Sequence, residues 1–540
     1  MRFLIALFLS VAFSVISLWS DEGHHHALSG EEVGSVHFAT SCVKDVGARF
    51  NMAVALLHSF QYEKARATFM EVSTRDPQCA MAQWGIAMSH YHGLWDNGDT
   101  AAGRAALENA QRLSATNPET TEREKEYIAA LAEIYREDDK DKVEHGRAFE
   151  QKMSALQAAY PDDNEAAIFH ALSLAITAPK TDKTFANQRK CGEILQPLFA
   201  KQPHHPGIAH YIIHCYDNPV LAQQGLNAAR MYAKIAPASA HANHMPSHIF
   251  TRVGSWDESI VSNTKSAELA AQDERSSLNG EARDQRLHAM DYLEYADLQS
   301  GRVSQAKAVL DQMNSLRQVA GLTLTGYYAE AAIPARYAIE LHNWQEASKL
   351  RQKRESVPWA QAITWMAVGI GSARSGNVEK ASEAVETLAA LRDTTAKQNN
   401  IYWANQIEVQ RREVAAWISK ATSKGDAVEV MRSAAELEDT MDKHAVTPGA
   451  VTPAREMLAE LLQLEKHSAQ AQLEYETVLK TAPNRFNALY GAAQAAEAAG
   501  NMKAANEYFQ KLTEVAVGDE RPELAAARKR AVLTSEAIRK

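Results

Sequence analysis

AQLEYETVLKTAPNRFNALYGAAQAAEAAGNMKAANEYFQ, residues 471–510, repeats itself at an interval of 34. Ala471 and Ala505 hold equivalent places, as do Tyr475 and Phe509. Pro483 closes the first unit, and Gly500 with Asn501 turns the second, where a helix must stop and a residue without a side-chain clash is favoured. The alanines are small enough for two helices to approach, and the aromatics are large enough to fill the gap between successive hairpins.

A 34-residue unit of helix, turn and helix with these residue types has the pattern of the tetratricopeptide repeat (TPR). Upstream, Tyr62, Ala65, Phe69 and Pro77 match the second-helix and closing positions, and Trp84 and Ala87 open the next unit. The register returns at Gly254, Trp256 and Ser259, at Gly301 and Ala306, at Trp344 and Ala347, and at Gly376 and Ala381. The spacing drifts, with Ser259 to Ala306 at 47 and Ala306 to Ala347 at 41, so some loops or helices exceed the minimal repeat. Nothing alternates like a strand. The expected fold is all-α, a TPR-type α-solenoid of stacked helical hairpins, in which each repeat needs only its neighbours to bury its apolar face. Residues 21–160 read as N-terminal hairpins and 161–390 as a central array. Residues 391–447 are helical with a weak repeat signature. Pro448, Gly449 and Pro453 break the helical pattern before a C-terminal pair over 448–540.

With 46% hydrophobic and 23% charged residues, the 540-residue chain can bury a large core. Its net charge is -10 and no basic cluster is long enough to track a phosphate backbone, which argues against a nucleic-acid partner. Residues 1–20 carry one positive charge at Arg2, an apolar run from Phe3 to Ile16, and small or polar residues before Asp21, the pattern of a secretory signal peptide. The bulky Leu18 near the cleavage point leaves an uncleaved anchor as the alternative, and no other stretch is apolar enough to span a bilayer. The expected location is therefore periplasmic or otherwise exported. In an oxidising compartment Cys42, Cys79, Cys191 and Cys215 permit three pairings, and each cysteine is equally readable as a small buried residue.

Five segments are more specific than generic repeat positions: HFATSC (His37–Cys42), FNMAVALLHSF (Phe50–Phe60), CAMAQWGIAMSHYHGLW (Cys79–Trp95), HHPGIAHYIIHCYD (His204–Asp217) and HANHMPSHIFTRVGSW (His241–Trp256). On these the chain resembles a group of exported bacterial TPR proteins, and the likeness covers nearly all of the mature chain. The resemblance implies the solenoid fold, an exported location and a bridge between Cys42 and Cys79. It carries over no catalytic residue.

The histidines obey two spacings at once. His210 and His214 are four apart, as are His244 and His248, so each pair shares a helical face. His210 to His244 and His214 to His248 are both 34, which places the pairs in consecutive repeats. Counting back from Ser259, His241, His244 and His248 take places two, five and nine of a first helix, positions that the TPR resemblance assigns to the concave groove. The next repeat puts His288, Asp291 and Tyr295 at the same sites, and His58 and His92 are again 34 apart. Imidazole is a common transition-metal ligand, so His210, His214, His244 and His248 form a candidate zinc or copper site. Asp291 is a candidate further ligand or ring-orienting partner, and Met245 a soft ligand for copper(I).

The bland alternative is that these polar residues bond to a bound peptide or to one another. Pro246 also interrupts the helix between His244 and His248. No His-Glu-x-x-His, Gly-x-Ser-x-Gly or phosphate loop is present, so a hydrolase using Asp291 or Glu294 as base is the weakest reading. The aromatics Trp84, Trp95, Trp256, Trp344 and Tyr327 read as packing residues. The leading expectation is an exported scaffold gripping a protein or peptide in a groove lined by His58, His92, His241, His288, Asp291 and Tyr295. The rival is a metal-binding protein.

Overall fold

Tyr475 lies against Gly491, and Phe69 against Gly85, sixteen residues on in both cases; a Cβ at either glycine would overlap the ring. The aromatic of one hairpin thus seats on the next, as the repeat requires. In the C-terminal pair, helices Ala454–Leu464 and Ser468–Thr481 are followed by Phe486–Ala498 and Met502–Val515. Gly500 turns the last hairpin at φ 80°, and the Asn501 side chain caps the following helix by accepting from the Ala504 amide.

The computed structural model describes residues 30–539, apart from 95–97, 139–140, 180, 277–279 and 354–355. The expected signal peptide over 1–20 and Trp95 lie outside the described residues. Among those described, the chain is helical throughout with no strand, and each helix packs chiefly on the next in sequence, the mark of an α-solenoid. No helix of the described residues is long and apolar enough to cross a membrane. One apolar cluster runs from Val33 to Phe250 and a second from Tyr328 to Ala495. Disulfides join Cys42 to Cys79 and Cys191 to Cys215. The second ties helix Ala186–Lys201 to helix Pro206–Tyr216, which carries His210 and His214.

The array winds back on itself. The Ser35 amide donates to the His204 carbonyl at 3.0 Å, and Tyr211 on helix Pro206–Tyr216 reaches His58 at 2.9 Å. At the other end Trp256 Nε1 donates to the Asn484 carbonyl at 3.0 Å, and the Val517 amide to the Ser300 carbonyl at 2.8 Å. The break around Pro448 enters the interior rather than standing as a linker: the Tyr292 hydroxyl donates to the Thr447 carbonyl at 2.8 Å, and Tyr328 to that of Gly449 at 3.2 Å.

An open groove is therefore not what His241, His288, Asp291 and Tyr295 line. They are 7%, 7%, 0% and 3% exposed, respectively. The chain's own loop and the returning repeats fill the space beside them.

Candidate metal centre

Helix Ala240–His244 ends two residues before Pro246, and helix Pro246–Val253 starts on it. Proline has no amide hydrogen, so the hydrogen-bond ladder is broken there while Met245 keeps helical dihedrals. The imidazoles diverge before that break, on the single turn that carries His241 and His244. His241 turns toward helix Pro206–Tyr216, whereas His244 and His248 face helix Gly280–Gln299.

The four-histidine site expected from the 34-residue interval is consequently replaced by two sets of three: His210, His214 and His241, and His244, His248 and His288. Within each set the ligating atoms all lie within 4.8 Å of one another. Equivalent positions in successive repeats are one helical hairpin apart, and the residue one turn along the same helix is nearer. His241 and His288, expected only as groove residues, thus complete the two sets.

In the first set His210 Nε2 lies 3.0 Å from His214 Nε2 and 3.0 Å from His241 Nε2. His210 Nδ1 sits 2.6 Å from the His58 carbonyl, an acceptor only, so Nδ1 carries the hydrogen and Nε2 a lone pair. That carbonyl is among those left unpaired at the end of helix Gly47–His58. Phe60 covers all three rings, at 4.4 Å from His210 and 5.6 Å from each of the other two. It does so with φ at 52°, a left-handed conformation unusual for a bulky side chain and worth about 1–2 kcal/mol of strain.

The second set is more tightly determined. His248 Nδ1 donates to Asp217 Oδ2 at 2.9 Å. Burial pushes the Asp217 carboxyl up, but Lys443 at 3.0 Å and Arg252 at 2.8 Å overrule it and hold it well below the usual carboxylate range. His244 Nδ1 donates to Asn263 Oδ1 at 2.7 Å; the Asn263 amide nitrogen is occupied by the Ser259 carbonyl, which fixes its oxygen toward the ring. Both Nε2 atoms then bear lone pairs, yet they face each other 2.9 Å apart. Two facing lone pairs at that distance repel unless a cation lies between them. Two bonds of 2.0–2.1 Å from a tetrahedral zinc set nitrogens roughly 3.3 Å apart, a small opening from what is seen. The buried His288 Nε2 has no hydrogen-bond partner, and its ring lies 4.1 Å from that of His244. Tyr292 covers this set as Phe60 covers the first, with ring distances of 4.9, 4.8 and 5.4 Å.

Burial holds the rings of His210, His214, His241, His244 and His288 well below the ordinary imidazole range, and neighbouring imidazoles push the same way. His248 is lowered by burial against the pull of Asp217. The six are thus held in the neutral form that metals require.

The other expected site residues fall elsewhere. Asp291 joins neither histidine set: its Oδ1 accepts from Arg336 Nη1 at 2.7 Å, and Glu294, pushed up to about 8 by burial, accepts from the same atom at 2.8 Å. Tyr295 packs on Trp256 and under Arg336. His92 stacks on Tyr62. His58 Nε2 bonds to Glu165 at 2.9 Å and its Nδ1 to the Tyr211 hydroxyl. Met245 is buried in the N-terminal apolar cluster. Cys215, a conceivable ligand beside His214, is tied up in its disulfide. Sequence reading missed Asp217, Asn263, Arg252 and Lys443. Asp217 closes the segment beginning at His204, three residues after His214, and was the one partner with a nearby sequence signal.

Comparison with protein-family models and with curated proteins gives no match. Solved helical structures do align over most of the chain, with little identity and low similarity of shape. A human IFIT1 dimer with PPP-AAAA is 13% identical, covering 87% of this chain and 90% of that one at a TM-score of 0.36. Yeast Tom70 is 12% identical, covering 75% of this chain and 96% of its own at 0.29. Naa15/Naa10 bound to HypK-THB is 10% identical, covering 91% of this chain and 92% of that one at 0.23.

Proposed function

We propose that the protein binds transition-metal ions, zinc or copper, at two three-imidazole sites inside its solenoid. The observation that carries this reading is the approach of His244 Nε2 and His248 Nε2 to 2.9 Å while both Nδ1 hydrogens are committed to Asn263 and Asp217. A carboxylate or amide behind the ring is the usual way a protein orients a metal-binding histidine. Three protein ligands leave a position open, as in sites that bind or transform a further molecule rather than purely structural ones. An exported location belongs to the same proposal, supported by the leader-like residues 1–20 and by two disulfides, which persist in oxidising compartments.

The test is elemental analysis of protein purified without a tag, as wild type and as the His210→Ala and His244→Ala variants. Two ions per chain, one lost in each variant with helicity unchanged, is the expected result. Metal-free protein that takes up no stoichiometric zinc or copper on loading sinks the reading.

A protein or peptide partner is the second reading. It is favoured by a cavity of about 230 Å³ on the inner side of the C-terminal repeats, lined by His342, Trp417, Tyr475 and Asn487 among others. A partner of this kind would engage that cavity and not the filled space around His241 and His288.

A further inference from the structure

The two histidine sets differ in how an ion reaches them. His214 in the first set is only part-buried, whereas His244, His248 and His288 are all buried. Packed interiors leave few voids larger than a water molecule, so a hydrated ion reaches the second set only if part of the chain moves. Much of the surrounding chain is helical: Pro246–Val253, Trp256–Ser276 and Gly280–Gln299 are each held by their own backbone ladder.

Residues 440–453 are held differently. They form no helix between Ala427–Asp439 and Ala454–Leu464, yet Val446 and Thr447 are buried. The carbonyls of Asp442, Thr447 and Gly449 accept from the hydroxyls of Tyr402, Tyr292 and Tyr328, at 3.0, 2.8 and 3.2 Å, and these tyrosines stand on three separate helices. Tyr292 is also the ring that covers the second set. Lys443 bonds to Asp217 Oδ2 at 3.0 Å, the same oxygen that accepts from His248 Nδ1, and Asp442 pairs with Arg252 at 3.3 Å. The Asp442 side chain is 34% exposed and that of Lys443 9%, so the ties run from the surface to the support of the ring within two residues. An irregular segment tied down by side chains opens at lower free energy than the helices packed beside it.

We propose that residues 440–453 form a strap across the His244, His248 and His288 set, and that an ion enters or leaves this set when the end carrying Asp442 and Lys443 lifts. The first set exchanges its ion past the part-buried His214 without that movement. This rests on the metal-binding reading above and goes beyond it by giving one of the two sites a gate and the pair an order of loading, the His210 set before the His244 set.

The experiment follows zinc uptake by the full chain and zinc release from it to an excess of a metal-responsive chelator, with His210→Ala and His244→Ala assigning each kinetic phase to its set. Wild-type protein should exchange in two phases, the slower one belonging to the His244 set. Asp442→Asn and Tyr402→Phe each cut one tie at the outer end of the strap. Each should speed both uptake and release in the slow phase by about two- to tenfold, the worth of one hydrogen bond, and leave the fast phase as it was. Because a gate alters the path in both directions alike, the affinity of the His244 set should not change. A slow phase that neither variant moves, or that belongs to the His210 set, overturns the strap while leaving metal binding intact. So does a variant that changes release alone and with it the affinity, since that effect acts on the bound ion and not on its route. Wild-type protein that takes up no zinc removes the metal reading instead, and the strap with it.

Discussion

The chain buries two kinds of three-ligand cluster within a few residues of each other, and they differ in what their nitrogens have left to offer. His58, Glu165 and His205 converge as closely as either histidine set. There, His58 Nε2 and His205 Nε2 both donate to the Glu165 carboxylate, at 2.9 and 2.8 Å, while Tyr211 donates to His58 Nδ1 and the Ile208 amide approaches His205 Nδ1 at 3.4 Å. Every ring nitrogen is engaged, so the cluster is a pin between helices. In the histidine sets the Nδ1 atoms of His210, His244 and His248 are bonded outward, and their Nε2 lone pairs are left to meet in the middle. Proximity alone does not make a metal site. The direction in which the outer nitrogens are satisfied does.

The largest effect separating the two clusters is the degree of acid sensitivity, since burial lowers the His58 ring of the pin but holds five rings of the two sets well below the ordinary imidazole range. An unfolded histidine takes up its proton near pH 6.5, whereas the buried rings of the two sets stay neutral to well below that value. As pH falls below 6.5 the unfolded state therefore binds more protons, and each such ring removes about 1.4 kcal/mol of stability per pH unit. Glu165 behaves later. Burial pushes its carboxyl up, but His205 and His58 overrule it and bring it to about 2, so its contribution is intact above the unfolded carboxylate value and is lost only as pH falls from there toward 2. Thermal melts of metal-free protein should show midpoints dropping steeply from pH 6.5 downward, and saturating zinc should hold them up. A metal-free profile flat to pH 5 would erase the distinction.

Next in size is Glu165→Ala. Breaking a buried ion pair by removing one partner costs about 3–5 kcal/mol, here from a carboxylate 2% exposed. Denaturant midpoints should fall accordingly while the native protein still takes up its full complement of metal. Loss of metal from a variant that remains folded would show that the pin belongs to the centre.

The smallest effect is expected for Asp217→Asn, which keeps the shape behind His248 but removes the carboxylate charge. Changes to the group that holds a metal-binding ring from behind lower metal affinity by roughly 10–100-fold. Competition with a metal-responsive chelator should show one site weakened by that factor and the His210 site unchanged. Equal weakening of both would mean that they load as a unit.

Much of the repeat architecture was legible along the chain because its cause is local. Ala471 and Ala505, or Tyr475 and Phe509, act on neighbours a hairpin away, and the interval between them marks the repeat itself. The recurrence of histidine at four and at 34 was equally plain, and it placed His210, His214, His244 and His248 on inward faces. It mispaired them because a spacing does not say which adjacent helix a side chain will meet: His241 and His244, on one helical turn, face different neighbours.

The amino-acid order by itself fixed an all-helical solenoid with imidazoles recurring on its inner side. Tertiary structure alone decided that they meet as threes, that Lys443 and Thr447 arrive from more than 150 residues away to close over them, and that the presumed groove is filled. Small rotations accumulate from one repeat to the next until distant turns of the winding touch, and no local pattern records their sum.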